Sequence, residues 1–117
     1  MQYLLMCCFD EGGWESLAES QRAAIMRDYA AWVDGTVKRG QHLASGKLQR
    51  TSAARTLRAR GGKTVITDGP FAETKEQLGG YHLLECRDLA EAIAVAERIP
   101  TLRAGGVVEV RPLEQAG

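Results

Sequence analysis

The chain has 117 residues, of which 44% are hydrophobic, which is typical of one globular domain with a single core. Fifteen basic residues balance fifteen acidic residues, so the overall charge gives no long-range attraction to nucleic acid or to an anionic membrane. No apolar run reaches the roughly 18 residues that a membrane span needs, and three cysteines do not make the even-numbered framework of a disulfide-rich secreted domain. We therefore expect a soluble, cytoplasmic protein that binds neither membrane nor nucleic acid.

The first half of the chain predicts a strand, a helix, a second strand and a hairpin. In residues 2–9 both the odd-numbered and the even-numbered positions are apolar, as in a strand buried on both faces. DEGGW should form a loop, after which Ser16 and Glu19 have the spacing of a capping box. Gly40 is placed to end the helix, and the apolar face of that helix repeats at three- and four-residue steps: Ile25, Tyr29, Trp32, Val33 and Val37. HLASGKLQ predicts the second strand, and RTLRARGGKTVIT predicts a hairpin that turns at residues 60–63.

The second half begins with the stretch TDGPFAETKEQLGGYHLLEC, residues 67–86. Its Gly-Pro corner should be followed by a helical turn at residues 73–77, which Gly79 and Gly80 would end with positive φ angles. GYHLLEC predicts a strand, and Asp88 with Glu91 predicts a helix stopped by Pro100. The apolar stripe of this helix is predicted to be Leu89, Ala92, Ile93, Ala96 and Ile99. GGVVEVRPL closes the chain as a strand, and residues 115–117 should be frayed.

This order of elements predicts an α+β protein, specifically a ferredoxin-like βαββαβ fold with an inserted β-hairpin, formed by residues 1–114 as one domain. Two helices cover only one face of such a sheet, whereas the first strand is apolar on both. We therefore expect a homodimer, in which a second copy covers the open face by sheet-to-sheet packing about a two-fold axis.

The segment DGPFAETKEQLGGYHLLE resembles the signature of the YCII-related domain family in its DGPF-motif branch. The resemblance extends in looser form through MQYLLMC, LASGKLQ, KTVITDGPF, DLAEAIAVAERIP and VEVRPL. It implies a dimeric α+β barrel built from ferredoxin-like subunits. The catalytic pair proposed for the YCII branch of the family is a histidine, lying in the first helix, with an aspartate. This chain has no histidine in its first helix, so the pair cannot be transferred to it.

Candidate acid-base residues are Asp68, His82 and His42. The carboxylate of Asp68 either pins the turn by accepting hydrogen bonds from backbone N–H groups or acts as a general base at the mouth of a cleft. His82 fits a partly buried structural imidazole on a strand, and His42 fits an exposed one, although either histidine could partner Asp68. Candidate ligand-binding residues are Phe71, Lys75, Tyr81 and Trp14. Phe71 could instead be a core residue, whereas Lys75 could hold a carboxylate or a phosphate.

No metal site and no organic cofactor are expected. Cys7 and Cys8 are neighbours on a strand and point to opposite faces, which prevents them from chelating one ion together. The sequence has no Cys-x-x-Cys spacing and no phosphate-binding loop. The three cysteines therefore fit best as small buried side chains.

Two functions remain open. The first is an enzyme or binding protein that handles a small polar organic molecule in a cleft near the DGPF motif by cofactor-independent acid-base chemistry of a lyase or isomerase type. The second is a regulatory interaction protein, because DGPF-type proteins resemble partners of extracytoplasmic-function sigma factors. The segment from Lys47 to Lys63 carries six basic residues and no acid, so it is either a solvated hairpin surface or a docking face.

Overall fold

The computed structural model describes residues 1–115, so that residues 116 and 117 of the predicted frayed end lie outside the described part. Within that part the chain forms six strands, three α-helices and two short 3₁₀ helices. In chain order these are β1 (Gln2–Phe9), α1 (Glu11–Ser16), α2 (Glu19–Lys38), β2 (His42–Lys47), a 3₁₀ helix (Thr51–Ala53), β3 (Arg55–Arg60), β4 (Lys63–Asp68), β5 (Gln77–Glu85), α3 (Leu89–Ala96), a 3₁₀ helix (Pro100–Ala104) and β6 (Val107–Pro112).

The main sheet has the strand order β2-β5-β1-β6, and every neighbouring pair is antiparallel. This is the strand order of a ferredoxin-like fold, so the predicted α+β architecture is confirmed. Strands β3 and β4 form a separate two-stranded hairpin, inserted between β2 and β5. Gly61 and Gly62 at its turn have φ angles of 56° and 78°, as a type I′ turn requires.

The core lies between the main sheet and helices α2 and α3. Leu5 of β1 and Leu84 of β5 are completely buried there, and burying a leucine side chain contributes about 1.5–3 kcal/mol. The indole Nε1 of Trp32 in α2 donates a hydrogen bond of 2.9 Å to the carbonyl of Val95 in α3, which ties the two helices together. The helix layer is therefore fixed by one buried polar contact as well as by apolar packing.

The buried faces of α2 and α3 keep several residues of the predicted stripes, among them Trp32 and Ala92, and differ from them at others. Thr36 is buried in α2, whereas Val37 is exposed, because a period of 3.6 residues continues from Trp32 to residue 36. The Thr36 hydroxyl is satisfied by donating to the Val33 carbonyl. Of the stripe predicted for α3, Leu89 and Ile93 are exposed, whereas Ala92, Ala96 and Ile99 are buried, as is Val95; the helix ends at Ala96, before the predicted stop at Pro100.

The predicted loop after β1 is wrong, because residues 11–16 form α1. Asp10 caps this helix by accepting a hydrogen bond from the backbone N–H of Gly12. The predicted capping box at Ser16 is also wrong: the Ser16 hydroxyl donates to the Gly13 carbonyl at the end of α1. Helix α2 begins at Glu19, and the side chain of Gln21 accepts a hydrogen bond from the backbone N–H of its N-cap residue, Ala18.

The two glycines after the DGPF motif lie in β5 and not at the end of a helical turn. Residues 73–76 form no helix, and neither Gly79 nor Gly80 has a positive φ angle. Gly79 lies at a bulge where the pairing between β1 and β5 shifts. A Cβ atom at residue 79 would fall on the ring of Phe9. The Gly pair is thus needed for close approach of neighbouring groups.

The face of the main sheet opposite the helices carries a row of apolar side chains. The register places Leu4 and Met6 of β1 beside Leu83 and Tyr81 of β5 on this face, whereas Leu5 and Cys7 on the opposite face pack in the core with Trp32 of α2 and Ala92 of α3. We call Leu4, Met6, Tyr81 and Leu83 the open face.

Candidate functional site

A cleft of about 360 Å³ opens at one end of the main sheet, between the sheet and helix α2. Its floor comes from the end of β1, the start of β5 and the end of β2, while α1 and α2 form its walls. Its polar side chains come from residues far apart in sequence, and the cleft is otherwise mainly apolar and aromatic, as small-molecule sites usually are. The polar groups that line it are Cys7, Asp10, Tyr29, Ser45, Lys47, His82 and Thr101.

The hydroxyl of Tyr29 is the meeting point of the polar groups inside the cleft. It forms a hydrogen bond with Nε2 of His82, and the Sγ atom of Cys7 lies 3.7 Å from it. Tyr29 projects from α2 towards the sheet, whereas Cys7 and His82 lie on β1 and β5 on the face that the helices cover. A phenol, an imidazole and a thiol are therefore brought together by packing of the helix on the sheet.

Burial keeps these groups in their neutral forms at pH 7. The imidazole of His82 is only 4% exposed, and this burial, with a smaller effect from His42, lowers its pKa to about 4. Burial also raises the pKa of Tyr29, with the neighbouring Cys7 as the second cause, and burial raises the pKa of the Cys7 thiol. Thiolate chemistry at Cys7 is accordingly disfavoured, whereas His82 is available as a neutral base.

One nitrogen of His82 has no partner. Nδ1 is buried and forms no hydrogen bond with any group of residues 1–115. Since Nε2 is engaged with Tyr29, either tautomer of the ring leaves Nδ1 unsatisfied, which costs about 1–3 kcal/mol. The ring is held in place by aromatic neighbours, because its centroid lies 4.8 Å from that of Trp32 in an edge-on arrangement. An unsatisfied buried polar atom beside a cleft is characteristic of a functional site.

Aromatic side chains form the outer wall of the cleft. The ring centroids of Phe9 and Trp14 are 6.5 Å apart in an edge-to-face arrangement. Phe9 occupies the space left by the missing side chain of Gly79, so the glycine at the bulge shapes the cleft directly. The wall presents apolar ring surface to a ligand.

A second pocket of about 260 Å³ adjoins the first, and Phe9, Trp14, Lys47 and Gly79 line both. Its charged lining residues comprise three cations and two acids: Arg22, Lys47, Arg50, Glu11 and Glu15. Both acids are paired with Arg50, and the hydroxyl of Thr51 also donates to Glu11 at 2.6 Å.

The structure places three of the sequence-predicted site residues at or next to the cleft. Trp14 and His82 line it. His42 lies beside it, with its Nε2 atom 3.0 Å from the hydroxyl of Ser45, a residue that lines the cleft and pairs with His82 across the strands.

The other predicted site residues lie outside the cleft within one protomer. The side chain of Asp68 is 90% exposed and pairs with Arg55 across the hairpin at 3.2 Å; no hydrogen bond from a backbone N–H to it is present in the described chain. Phe71 is 78% exposed, so it is not a core side chain in this protomer, and Lys75 is exposed on the connection to β5. Tyr81 lies on the open face, across β5 from His82. Asp68 and His82 are therefore not brought together.

Tyr29 and Cys7 are the residues that sequence reasoning did not assign to the site. Two signals could have found Tyr29. First, Tyr29 belongs to the apolar stripe of the first long helix, so its ring faces the sheet. Second, His82 lies two residues before the buried Leu84 on the same strand, so the imidazole of His82 faces the helices. Polar atoms on two facing apolar surfaces must find partners.

No group of three or more His, Cys, Asp or Glu side chains in residues 1–115 is arranged to hold a metal ion. None of the helices in the described range is both long and apolar enough to cross a membrane.

Comparisons with known proteins identify the family and support the fold. The model of the YCII-related domain matches residues 1–116. An uncharacterised protein of Rhizobium meliloti strain 1021 is 39% identical over 114 residues, which cover 97% of this chain and 92% of that protein. Among solved structures, a similar chain is the 5-chloro-2-hydroxyhydroquinone dehydrochlorinase TftG of Burkholderia phenoliruptrix AC1100 in complex with 2,5-dihydroxybenzoquinone. The likeness has a TM-score of 0.58 and 16% identity and covers 99% of this chain and 96% of that chain. The chain therefore belongs to the YCII-related domain family.

Proposed function

We propose that this protein binds a small hydroxylated ring compound, of the phenol or hydroquinone type, in the cleft and transfers a proton to or from it. The observation that carries the proposal is the Tyr29 hydroxyl, which lies in a mainly apolar cleft and is hydrogen-bonded to a neutral histidine. The aromatic wall of Phe9 and Trp14 suits a flat ring. The fold neighbour TftG, whose bound 2,5-dihydroxybenzoquinone is a ring of this class, supports the same choice of ligand.

The proposed proton transfer uses the two side chains as a relay. A hydroxyl of the ligand gives its proton to the Tyr29 oxygen while Tyr29 passes its own proton to Nε2 of His82. The products are a phenolate in the cleft and an imidazolium at His82, so charge and protons balance. The low pKa of His82 opposes this transfer in the empty cleft, but a bound phenolate would raise that pKa through its negative charge. The same relay run backwards would protonate an enolate or a quinonoid ligand, which is acid-base chemistry of an isomerase or lyase type.

Binding of hydroquinone is expected to weaken about tenfold in Tyr29→Phe, because the ring contacts stay while one hydrogen bond to the ligand is lost. Isothermal titration calorimetry of the wild type and the variant measures this difference. Cyclohexane-1,4-diol, which has two hydroxyl groups but no aromatic ring, should bind the wild type more weakly than hydroquinone.

Tyr81→Phe is the matched control, since it removes the same hydroxyl from the other face of the same sheet. It should leave hydroquinone binding unchanged. Equal losses in both variants, or no binding to the wild type, would contradict the cleft as the site and would favour the regulatory alternative.

We further propose that the protein is a homodimer that packs through the open face. The half-buried side chains of Leu4, Met6, Tyr81 and Leu83 are neighbours on the face of the sheet away from the buried core, and an apolar surface that stays accessible to solvent often marks an interface. The radius of gyration of 16.2 Å exceeds the value of about 13 Å expected for a compact chain of this length. The inserted hairpin also exposes the cross-strand pair Leu57 and Ile66. A second copy would cover apolar surface that a single chain leaves in water.

A further inference from the structure

The second pocket contains two cations without an acidic partner. Arg22 and Lys47 take part in none of the ion pairs within residues 1–115, whereas both acids of the pocket, Glu11 and Glu15, pair with Arg50. With three cations and two acids, the pocket beside the proposed ring site carries a net charge of +1, and Arg22 and Lys47 are its cations without an ion pair. An anionic ligand group would supply the missing partner.

Arg22 is notable because its side chain is partly buried. It lies in the first turns of α2, at intermediate exposure, and it lines the pocket without a hydrogen bond to any group of the described chain. A guanidinium that is partly removed from water loses hydration, and burial without a carboxylate leaves that loss uncompensated. The arrangement is the one expected of a group that is paired only when a ligand is bound.

Lys47 connects this pocket to the cleft. It is at the end of β2 and lines both cavities, together with Phe9, Trp14 and Gly79. A ligand whose ring occupies the cleft can therefore place a substituent against the lysine ammonium. Glu11 also lines this pocket, and no ion pair joins it to Lys47: its Oε1 accepts from Thr51, and its buried Oε2, which accepts no hydrogen bond, lies 3.4 Å from Nε of Arg50.

We infer that the second pocket is a subsite for a carboxylate, held by Lys47 and Arg22, and that the natural ligand is a hydroxylated ring that bears a carboxylate. This inference rests on the proposed function, since it takes the ring to lie in the cleft. The inference adds to the proposed function that the ligand carries a carboxylate, which a neutral phenol lacks.

The test compares hydroquinone with 2,5-dihydroxybenzoate, which is the same diphenol with one carboxylate. Calorimetric titration of the wild type should show about tenfold tighter binding of the dihydroxybenzoate, as expected for a charge-assisted hydrogen bond. Lys47→Met and Arg22→Met should each reduce this preference, and Arg22→Met, which lies in the second pocket and not in the cleft, should leave hydroquinone binding unchanged. Raising the salt concentration should also reduce the preference, because the lysine is exposed to solvent.

Lys63→Met is the control, because it removes a lysine from the hairpin turn, outside both pockets. This variant should bind 2,5-dihydroxybenzoate more tightly than hydroquinone by the same factor as the wild type does. If both probes bind the wild type equally, the carboxylate subsite is overturned while the proposed ring site stands. If neither probe binds, both proposals are overturned. A preference that survives both Met variants would overturn the assignment to Lys47 and Arg22.

Discussion

Lowering the pH from 7 to 4 is expected to reduce the free energy of unfolding by up to about 3 kcal/mol through His82 alone. The pKa of His82 is lowered from 6.5 to about 4 in the folded protein, and each unit of difference corresponds to about 1.4 kcal/mol. The unfolded chain therefore binds a proton at His82 below pH 6.5, while the folded chain does so only near pH 4. The stabilisation that neutral His82 contributes is fully present above pH 6.5 and is lost as the pH falls from 6.5 to about 4. The figure is an upper value, since one side of the ring faces the cleft.

Urea denaturation of the wild type and His82→Gln between pH 7 and pH 4 isolates this contribution, because the carboxylates titrate in both proteins. The variant should lose less stability over the window than the wild type does. His42→Gln removes the neighbouring and more exposed histidine. Its free energy of unfolding should still fall with pH almost as steeply as that of the wild type. If His82→Gln does not fold, the ring protons of His82 in the wild type can be followed by NMR. A midpoint near 6.5 would contradict the buried neutral imidazole.

Leu83→Lys is expected to convert a dimer into a folded monomer. Leu83 lies on the open face, so in a two-fold interface each substitution would bring an ammonium into apolar contact in both copies. Burying an unpaired charge costs several kcal/mol; even roughly 3 kcal/mol raises Kd more than a hundredfold. Sedimentation velocity at micromolar concentration measures the change, and circular dichroism checks that the variant keeps its secondary structure.

The control for this prediction is Ile93→Lys, which adds the same charge at an exposed apolar residue of α3 in the helix layer. It should leave the sedimentation coefficient of the dimer unchanged. Met6→Lys provides a second variant on the open face if Leu83→Lys is unstable. A wild type that sediments as a monomer would contradict the homodimer, as would a Leu83→Lys variant that stays dimeric.

Local patterns in the sequence were sufficient for the main architecture. The short apolar run of β1 and the Gly-Gly turn of the hairpin each predicted an element that the structure contains. The strand order followed from the sequence of element types, because few topologies satisfy the split βαβ pattern. Helix α1 was missed because its Glu-Gly-Gly start has poor helix propensity, and the side chain of Asp10 compensates as a cap.

Contacts between distant residues limited the prediction of the site. Tyr29 and His82 are 53 positions apart in sequence, and their hydrogen bond exists only because α2 packs on β5. The role of Gly79 was predicted wrongly because glycine serves both positive φ angles and close approach of neighbouring groups. The structure shows the second use, since a Cβ atom at residue 79 would overlap the ring of Phe9. Asp68 was predicted as a candidate acid-base residue from the DGPF motif, but its exposed ion pair with Arg55 lies outside the cleft.

A hydroxylated ring is expected to bind between α2 and the sheet, next to Tyr29 and His82. An NMR titration of the isotope-labelled wild-type protein with hydroquinone locates the ligand directly. The largest changes in chemical shift should fall on the ring signals of Tyr29 and His82 and on the indole of Trp14, with little change at residues 55–68. Changes concentrated in the hairpin or around Asp68, with the signals of Tyr29 and His82 unmoved, would contradict binding at this site.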